Sequence, residues 1–288
     1  MRGFAEELQL ASAEGVVRTE NLPFLLEPSD RTDAPAVLLV HGFSASPWEL
    51  RELGEDLTAR GFRVLGVRLP GHGTTPEDLA HRDWEEWRAA VERGWGLLAS
   101  ASGRVYGVGM STGALLLLEL ALRRDLAGLV LLSPFLRLRH PLAAAAGLLR
   151  HLYPFQRRPV AKEAEPFYYA RRPLRGVQQI HRLIRALRPR LGRLTVPVLV
   201  IGAAQDATVR PGSALTLFRR LGSRDRQFHL LGADFAHVLT DRQNPRRQEV
   251  FELAGEFMRN REEALRPSGG RKASGSGAAS LPGDRSCR

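Results

Sequence analysis

A serine with a glycine two residues to either side, Gly109-Met110-Ser111-Thr112-Gly113, joins one apolar run to another, and no other feature constrains this fold as tightly. Val105-Tyr106-Gly107-Val108 before it reads as a short buried strand, and the leucine-rich residues 114–122 after it read as a buried helix. A turn from strand to helix within one residue forces that residue into a strained backbone conformation and lifts its side chain above the sheet edge. Glycines are needed beside it because side chains there would meet the neighbouring strand and helix.

The rest of the chain repeats the same alternation. Apolar strands are expected at residues 36–40, 62–67, 127–132, 197–202 and 227–230, and amphipathic helices at 47–60, 84–100 and 245–259. Short apolar strands separated by longer amphipathic helices predict an α/β fold, a mostly parallel doubly wound sheet covered on both faces. Residues 16–19 and 24–26, around Asn21-Leu22-Pro23, predict a short antiparallel hairpin at one sheet edge.

The rhythm breaks between residues 134 and 194. Seven prolines (Pro134, Pro141, Pro154, Pro159, Pro166, Pro173 and Pro189) predict several short helices and turns there, inserted over the strand ends. The expected organisation is a core of residues 1–133 and 195–262, an arginine-rich helical cap at 134–194, and a Gly/Ser/Arg-rich disordered tail at 263–288.

A serine hydroxyl needs a histidine to take its proton and a carboxylate to orient that histidine. In a doubly wound sheet these groups come from loops at the carboxyl ends of strands. Asp206 follows the apolar strand at 197–202, and His237 follows the last strand. The order Ser111, Asp206, His237 is the one this architecture requires. Asp234 and Asp241 lie nearer His237 but follow no strand end, so they read as loop and helix-cap carboxylates. His72, His81, His140, His151, His181 and His229 are the rival bases, and His229 falls inside an expected strand. The oxyanion of a tetrahedral intermediate needs fixed N–H donors. Succession in the motif offers Thr112, and the loop His41-Gly42-Phe43-Ser44 offers Phe43, with His41 holding that loop.

These residues resemble the α/β-hydrolase superfamily, and within it bacterial carboxylesterases and monoacylglycerol lipases. The similarity is carried by His41-Gly42-Phe43-Ser44, Leu69-Pro70-Gly71-His72-Gly73, Trp84 with Trp87, the Ser111 pentapeptide, Asp206 and His237, and it spans roughly residues 20 to 260. It implies an α/β-hydrolase fold with a helical cap insertion. It also implies a serine hydrolase cleaving carboxylic esters, of short or medium acyl chains or monoacylglycerol-like lipids, through an acyl-serine. Ser111 would be nucleophile, Asp206 acid and His237 base. The resemblance names Phe43 and Met110 as oxyanion donors, whereas the motif rule names Phe43 and Thr112. Thioester hydrolysis or acyl transfer on the same triad, and a catalytically silent membrane-associated protein, are the alternatives. No metal or organic cofactor is expected.

Charge adds a second expectation. The net charge is +11, and all but two of the 42 basic residues are arginine. Residues 137–193 hold 14 of them against Glu163 and Glu165, a local balance of +12. Leu183, Ile184, Leu187 and Leu191 recur at helical spacing beside Arg182, Arg185 and Arg188, which predicts a basic amphipathic helix, either resting on anionic lipid or presenting a solvated arginine-rich face over an ordinary cap core. Phe135, Tyr153, Phe155, Phe167, Tyr168 and Tyr169 are expected to line an acyl pocket or touch lipid. No nucleic-acid-binding module accompanies the charge, so no nucleic-acid partner is expected. The N-terminal residues turn acidic where a secretory signal would be apolar, and the apolar runs are too short to span a bilayer. Cys287 is the only cysteine, which excludes an internal disulfide and suits a cytoplasmic protein peripheral to the membrane at most.

Overall fold

The apolar runs become strands of a single sheet in the computed structural model, which describes residues 2–29, 33–138, 153–210 and 212–265. In chain order the strands are β1 (Phe24–Leu26), β2 (Ala36–Val40), β3 (Arg63–Val67), β4 (Val105–Met110), β5 (Gly128–Leu132), β6 (Phe155–Arg157), β7 (Arg171–Pro173), β8 (Val198–Ala203) and β9 (Arg226–Leu231). Seven of them form the order β1-β3-β2-β4-β5-β8-β9. All neighbours are parallel except β1, which runs antiparallel to β3. β6 and β7 make a separate antiparallel ribbon.

The helices are α1 (Arg2–Ala13), α2 (Arg51–Ala59), α3 (Pro76–His81), α4 (Trp84–Ala99), α5 (Thr112–Ala121), α6 (Leu174–Leu187), α7 (Ser213–Arg220) and α8 (Arg247–Leu265). Alternation along each strand splits the core in two. Leu38, Val40, Leu65, Leu129, Leu131 and Val200 face one way, onto α4, α5 and α6. Val37, Leu39, Val64, Val108, Val130 and Leu199 face the other way, onto α2 and α8. The central strands β2, β4 and β5 are buried along their whole length, which is why they read as continuous apolar runs. The expected doubly wound α/β architecture is therefore present.

Two expectations fail at the N-terminus. No hairpin joins residues 16–19 to 24–26: Thr19–Asn21 is a 3-10 turn, and β1 pairs with β3 instead. The reason is Phe24, whose ring occupies the space over Gly66 that any Cβ would enter at 2.3 Å. A free two-stranded hairpin would leave that ring in water. α1 was not expected at all; it is held by Ala11, which is fully buried, and by the Arg93–Glu7 ion pair.

The described part of the cap packs into the core. Leu183, Ile184, Leu187 and Leu191 do lie on one face, but that face is buried in the same apolar cluster as α5. It is not available to lipid. On its flank Arg175 pairs with Asp83 and Arg182 with Glu85. At the other end α8 continues to Leu265, three residues past the expected core boundary. Most of the expected tail, 266–288, lies outside the described residues, as do His140 and His151. Among the described residues no helix is long and apolar enough to cross a membrane.

Candidate active site

β4 ends at Met110 and α5 begins at Thr112, so Ser111 alone makes the turn, with φ 55° and ψ −110°. A non-glycine residue held there stores on the order of 1–3 kcal/mol of strain. The turn survives because its surroundings allow nothing else. A Cβ on Gly113 would sit 2.0 Å from the Val40 carbonyl oxygen, and one on Gly109 would sit 2.6 Å from the Ala114 nitrogen. The Ser111 N–H donates to Leu132 O at 2.8 Å, fastening the elbow to β5. Above it, α5 is buried almost all round, between the sheet and α6.

Ser111 Oγ lies 2.8 Å from His237 Nε2, and His237 Nδ1 lies 2.5 Å from Asp206 Oδ2. A carboxylate can only accept, so Nδ1 carries the proton and Nε2 is left to accept the serine hydroxyl. Asp206 is fixed from behind, since its Oδ1 accepts the N–H groups of Thr208 at 2.8 Å and Val209 at 3.0 Å. Burial pushes its carboxyl pKa up, but the hydrogen bond and charge of His237, with those two N–H groups, outweigh it and hold it below the usual range. Phe235 and Leu239, buried on either side of His237, pin its loop onto the α8 layer.

The rivals fall elsewhere. Asp234 is exposed and paired with Arg246, and Asp241 accepts the Gln243 N–H in a turn. His229 lies on the exposed edge strand β9, and the His81 ring bonds the Glu77 carbonyl at the end of α3. His41 and His72 are buried beneath the loop that follows β2. Burial pulls the His41 pKa down to about 4, so that ring is neutral and works structurally.

That loop is clamped at each peptide. His41 Nδ1 donates to the Gly42 carbonyl at 2.9 Å, while His41 Nε2 accepts the Leu69 N–H. The Gly42 carbonyl and the Phe43 N–H belong to one planar peptide, so fixing the first aims the second. The Gly42 N–H donates to Glu49 Oε2 at 2.6 Å. Ser44, at φ 63°, accepts the Tyr169 N–H at its carbonyl and Arg172 Nε at its hydroxyl. The Phe43 ring packs on Gly176 of α6 and against Trp87 and His72.

Met110 and Thr112, the two candidates beside the serine, are placed differently. Ala36 N–H donates to Arg104 O, and Val40 stands opposite Gly109. That ladder turns the Met110 N–H toward the Val40 carbonyl, inside the sheet. Thr112 is the first residue of α5, where no intrahelical acceptor exists. Among the described residues no backbone carbonyl accepts the Thr112 N–H, nor that of Phe43. Of the expected pair, Phe43 keeps a free N–H and Met110 does not, which makes Phe43 and Thr112 the candidate oxyanion donors.

The sequence reading missed Glu49, Arg158 and Arg172. Glu49 is 7 % exposed. Burial pushes its pKa up to about 7, against the opposing pull of the Gly42 N–H, Arg158, Tyr168 and Arg172. Burial pulls Arg172 down to about 9, reinforced by Arg158 and opposed by Glu49. A cavity of about 1010 Å³ opens on this side, lined in part by Trp48, Glu49, Arg158, Phe167, Tyr168 and Val238. Phe167 and Tyr168 line this cavity, whose lining includes none of Ser111, Asp206 and His237, while Phe135 is buried in the core and Tyr153 is exposed. Among the described residues no three His, Cys, Asp or Glu side chains gather into a set able to hold a metal ion.

The chain is similar to known proteins in both sequence and fold. The family profile described as "Serine aminopeptidase, S33" matches residues 32–242. The thermostable monoacylglycerol lipase of Bacillus sp. (strain H-257) is 30% identical over 229 residues, covering 77% of this chain and 91% of that protein. The carboxylesterase of Bacillus subtilis (strain 168) is 25% identical over 223 residues, covering 76% of this chain and 89% of that one. Among solved structures, the monoacylglycerol lipase of Paleococcus ferrophilus superposes with a TM-score of 0.69 at 20% identity, covering 83% of this chain and 98% of that one.

Proposed function

The chain belongs to the S33 serine aminopeptidase family of α/β-hydrolases, and from that premise we propose that it hydrolyses carboxylic esters with Ser111 as nucleophile, His237 as base and Asp206 as orienting acid. The observation that carries this reading is the unbroken chain from Ser111 Oγ through the His237 ring to the Asp206 carboxylate, at 2.8 and 2.5 Å. Both bacterial relatives named above are ester hydrolases, which favours an ester over a peptide substrate.

Ser111 Oγ attacks the ester carbonyl carbon while His237 Nε2 takes its proton. The carbonyl oxygen becomes an oxyanion facing the N–H groups of Phe43 and Thr112, the latter at the positive end of α5. The imidazolium, steadied by Asp206, gives its proton to the departing alcohol oxygen and leaves an acyl-serine. Water then attacks the acyl carbon as Nε2 takes its proton. The collapse of that second intermediate returns the proton to Ser111 and releases the acid.

Short or medium acyl esters and monoacylglycerol-like lipids are the proposed substrates. Peripheral contact with anionic lipid is proposed as purely electrostatic, through exposed Arg157, Arg185 and Arg193, at about 1 kcal/mol each. Salt-sensitive co-sedimentation with anionic vesicles tests that part; salt-insensitive or absent binding refutes it. The main test is hydrolysis of chromogenic esters of two to sixteen carbons by wild type and Ser111→Ala. Turnover that disappears in the variant is expected. Turnover surviving it would refute the serine mechanism, and activity confined to acyl thioesters would change the substrate class.

A further inference from the structure

Outside the triad, the most unusual group in the molecule is a carboxylate buried beneath the loop that carries the Phe43 N–H. Glu49 sits at the start of the segment leading into α2, and it accepts the Gly42 N–H at 2.6 Å. That peptide immediately precedes the one whose N–H faces the oxyanion. Three cap residues converge on the same carboxylate. The Tyr168 hydroxyl and the Arg158 and Arg172 guanidinium groups all act on it electrostatically, and Glu49, Arg158 and Tyr168 line one cavity. Arg172 also donates to Ser44 Oγ at 2.9 Å, on the far side of Phe43. Asp241, from the loop after His237, acts on Tyr168, and the Glu49 carbonyl accepts Thr240 Oγ1 at 3.0 Å. Phe43 is thus gripped on both flanks by one network whose only carboxylate in contact with the loop is Glu49.

We propose that Glu49 is a positioning residue for the oxyanion hole, through which the cap residues Arg158, Tyr168 and Arg172 fix the direction of the Phe43 N–H. The proposal rests on the ester-hydrolase reading above for its kinetic consequence, but the link from Glu49 to Gly42 stands without it. A charged acceptor makes a stronger bond to an N–H than a neutral one. Protonating Glu49 weakens its hold on Gly42 and removes the carboxylate charge that acts on both Arg158 and Arg172. Burial places that protonation near neutrality, so the device acts in the ordinary working range of pH. An oxyanion donor moved by a fraction of an ångström stabilises the transition state less but leaves ground-state binding almost untouched.

The test compares wild type with Glu49→Gln, an isostere that keeps the acceptor and loses the charge. Expected in the variant is a fall in kcat of about ten- to hundredfold with KM within about twofold. The wild-type kcat should fall more steeply below pH 7 than that of the variant, because the wild type loses both the His237 base and the Glu49 charge. Equal kcat and parallel pH profiles would overturn the proposal, as would a loss confined to KM. A second readout needs neither turnover nor the variant: the Gly42 amide proton resonance of the wild type, followed by NMR, should move upfield as pH falls through about 7. A resonance that ignores pH across that range would overturn the proposal by itself. Absence of ester turnover in wild type with a titrating Gly42 amide would instead strike the hydrolase reading and spare the link.

Discussion

Asp206→Asn discriminates best between an orienting acid and a carboxylate that is merely nearby. Asp206 Oδ1 accepts two backbone N–H groups, from Thr208 and Val209, and Oδ2 accepts the His237 Nδ1–H. Asparagine has one acceptor oxygen and one donor nitrogen. Two backbone donors claim the oxygen, so the amide NH2 is turned to His237, where it can only donate. Nδ1 must then accept, the ring proton moves to Nε2, and Ser111 Oγ faces an N–H in place of a lone pair. The base is lost while the shape of the site is kept. The same tautomer inversion in a Ser-His-Asp site lowers kcat about 10⁴-fold, which corresponds to roughly 5.4 kcal/mol of transition-state stabilisation. The assay is kcat for a short chromogenic ester, with circular dichroism to confirm folding. Asp234→Asn, made in parallel, should stay within about twofold, because that carboxylate engages Arg246. A folded Asp206→Asn enzyme within tenfold of wild type would refute the assignment, and an equal loss in Asp234→Asn would refute the argument that only strand-end carboxylates serve.

Other consequences can be checked by stability. Gly113→Ala would place a methyl 2.0 Å from the immovable Val40 carbonyl oxygen, so thermal melting should find several kcal/mol lost, about 3 or more, or no folded protein. Leu183→Ala removes a fully buried side chain from α6 and should cost about 2–5 kcal/mol in a single cooperative transition, because α6 shares its apolar cluster with α5; two separate transitions by calorimetry would show an independent cap. Glu49 has a folded-state pKa raised from 4.5 to about 7, so between those values the native state holds a proton that the unfolded chain has released. Its contribution is fully present below about pH 4.5 and lost as pH rises through about 7, on the order of 3 kcal/mol in all. Denaturant titrations across that range should lose this slope in Glu49→Gln.

What the sequence carried, it carried through local spacing. The elbow at Ser111 was legible because the glycine requirement is met within five residues, and Asp206 and His237 were legible because each follows an apolar strand. The failures all involve contacts between distant segments. Residues 24–26 have the composition of a hairpin strand, but the partner that buries Phe24 is Gly66, forty residues away. Met110 and Thr112 flank the serine equally in sequence; only the parity of the β2–β4 ladder turns one N–H into the sheet and frees the other. Glu49 lies near the start of the amphipathic helix expected at 47–60, and nothing local in the sequence marks it as buried. It is buried because Tyr168 and Arg172, more than a hundred residues later, fold back over it.

The same long-range contacts alter what the cap does. A lid that opens freely would leave the catalytic framework standing, yet here α6 covers α5, the helix whose first turn holds Thr112, and packs Gly176 on the ring of Phe43. β7 contributes Arg172 to Ser44, and Tyr169 bonds Ser44 with its N–H and Gly71 and Thr74 with its hydroxyl. Both proposed oxyanion donors, Phe43 and Thr112, therefore depend on residues 168–187 for their position. The strain at Ser111 and the positive φ of Ser44 persist because those contacts over-determine the backbone around them. Lifting β7 or α6 would therefore take with it the contacts that hold the loop after β2 and the ring of Phe43.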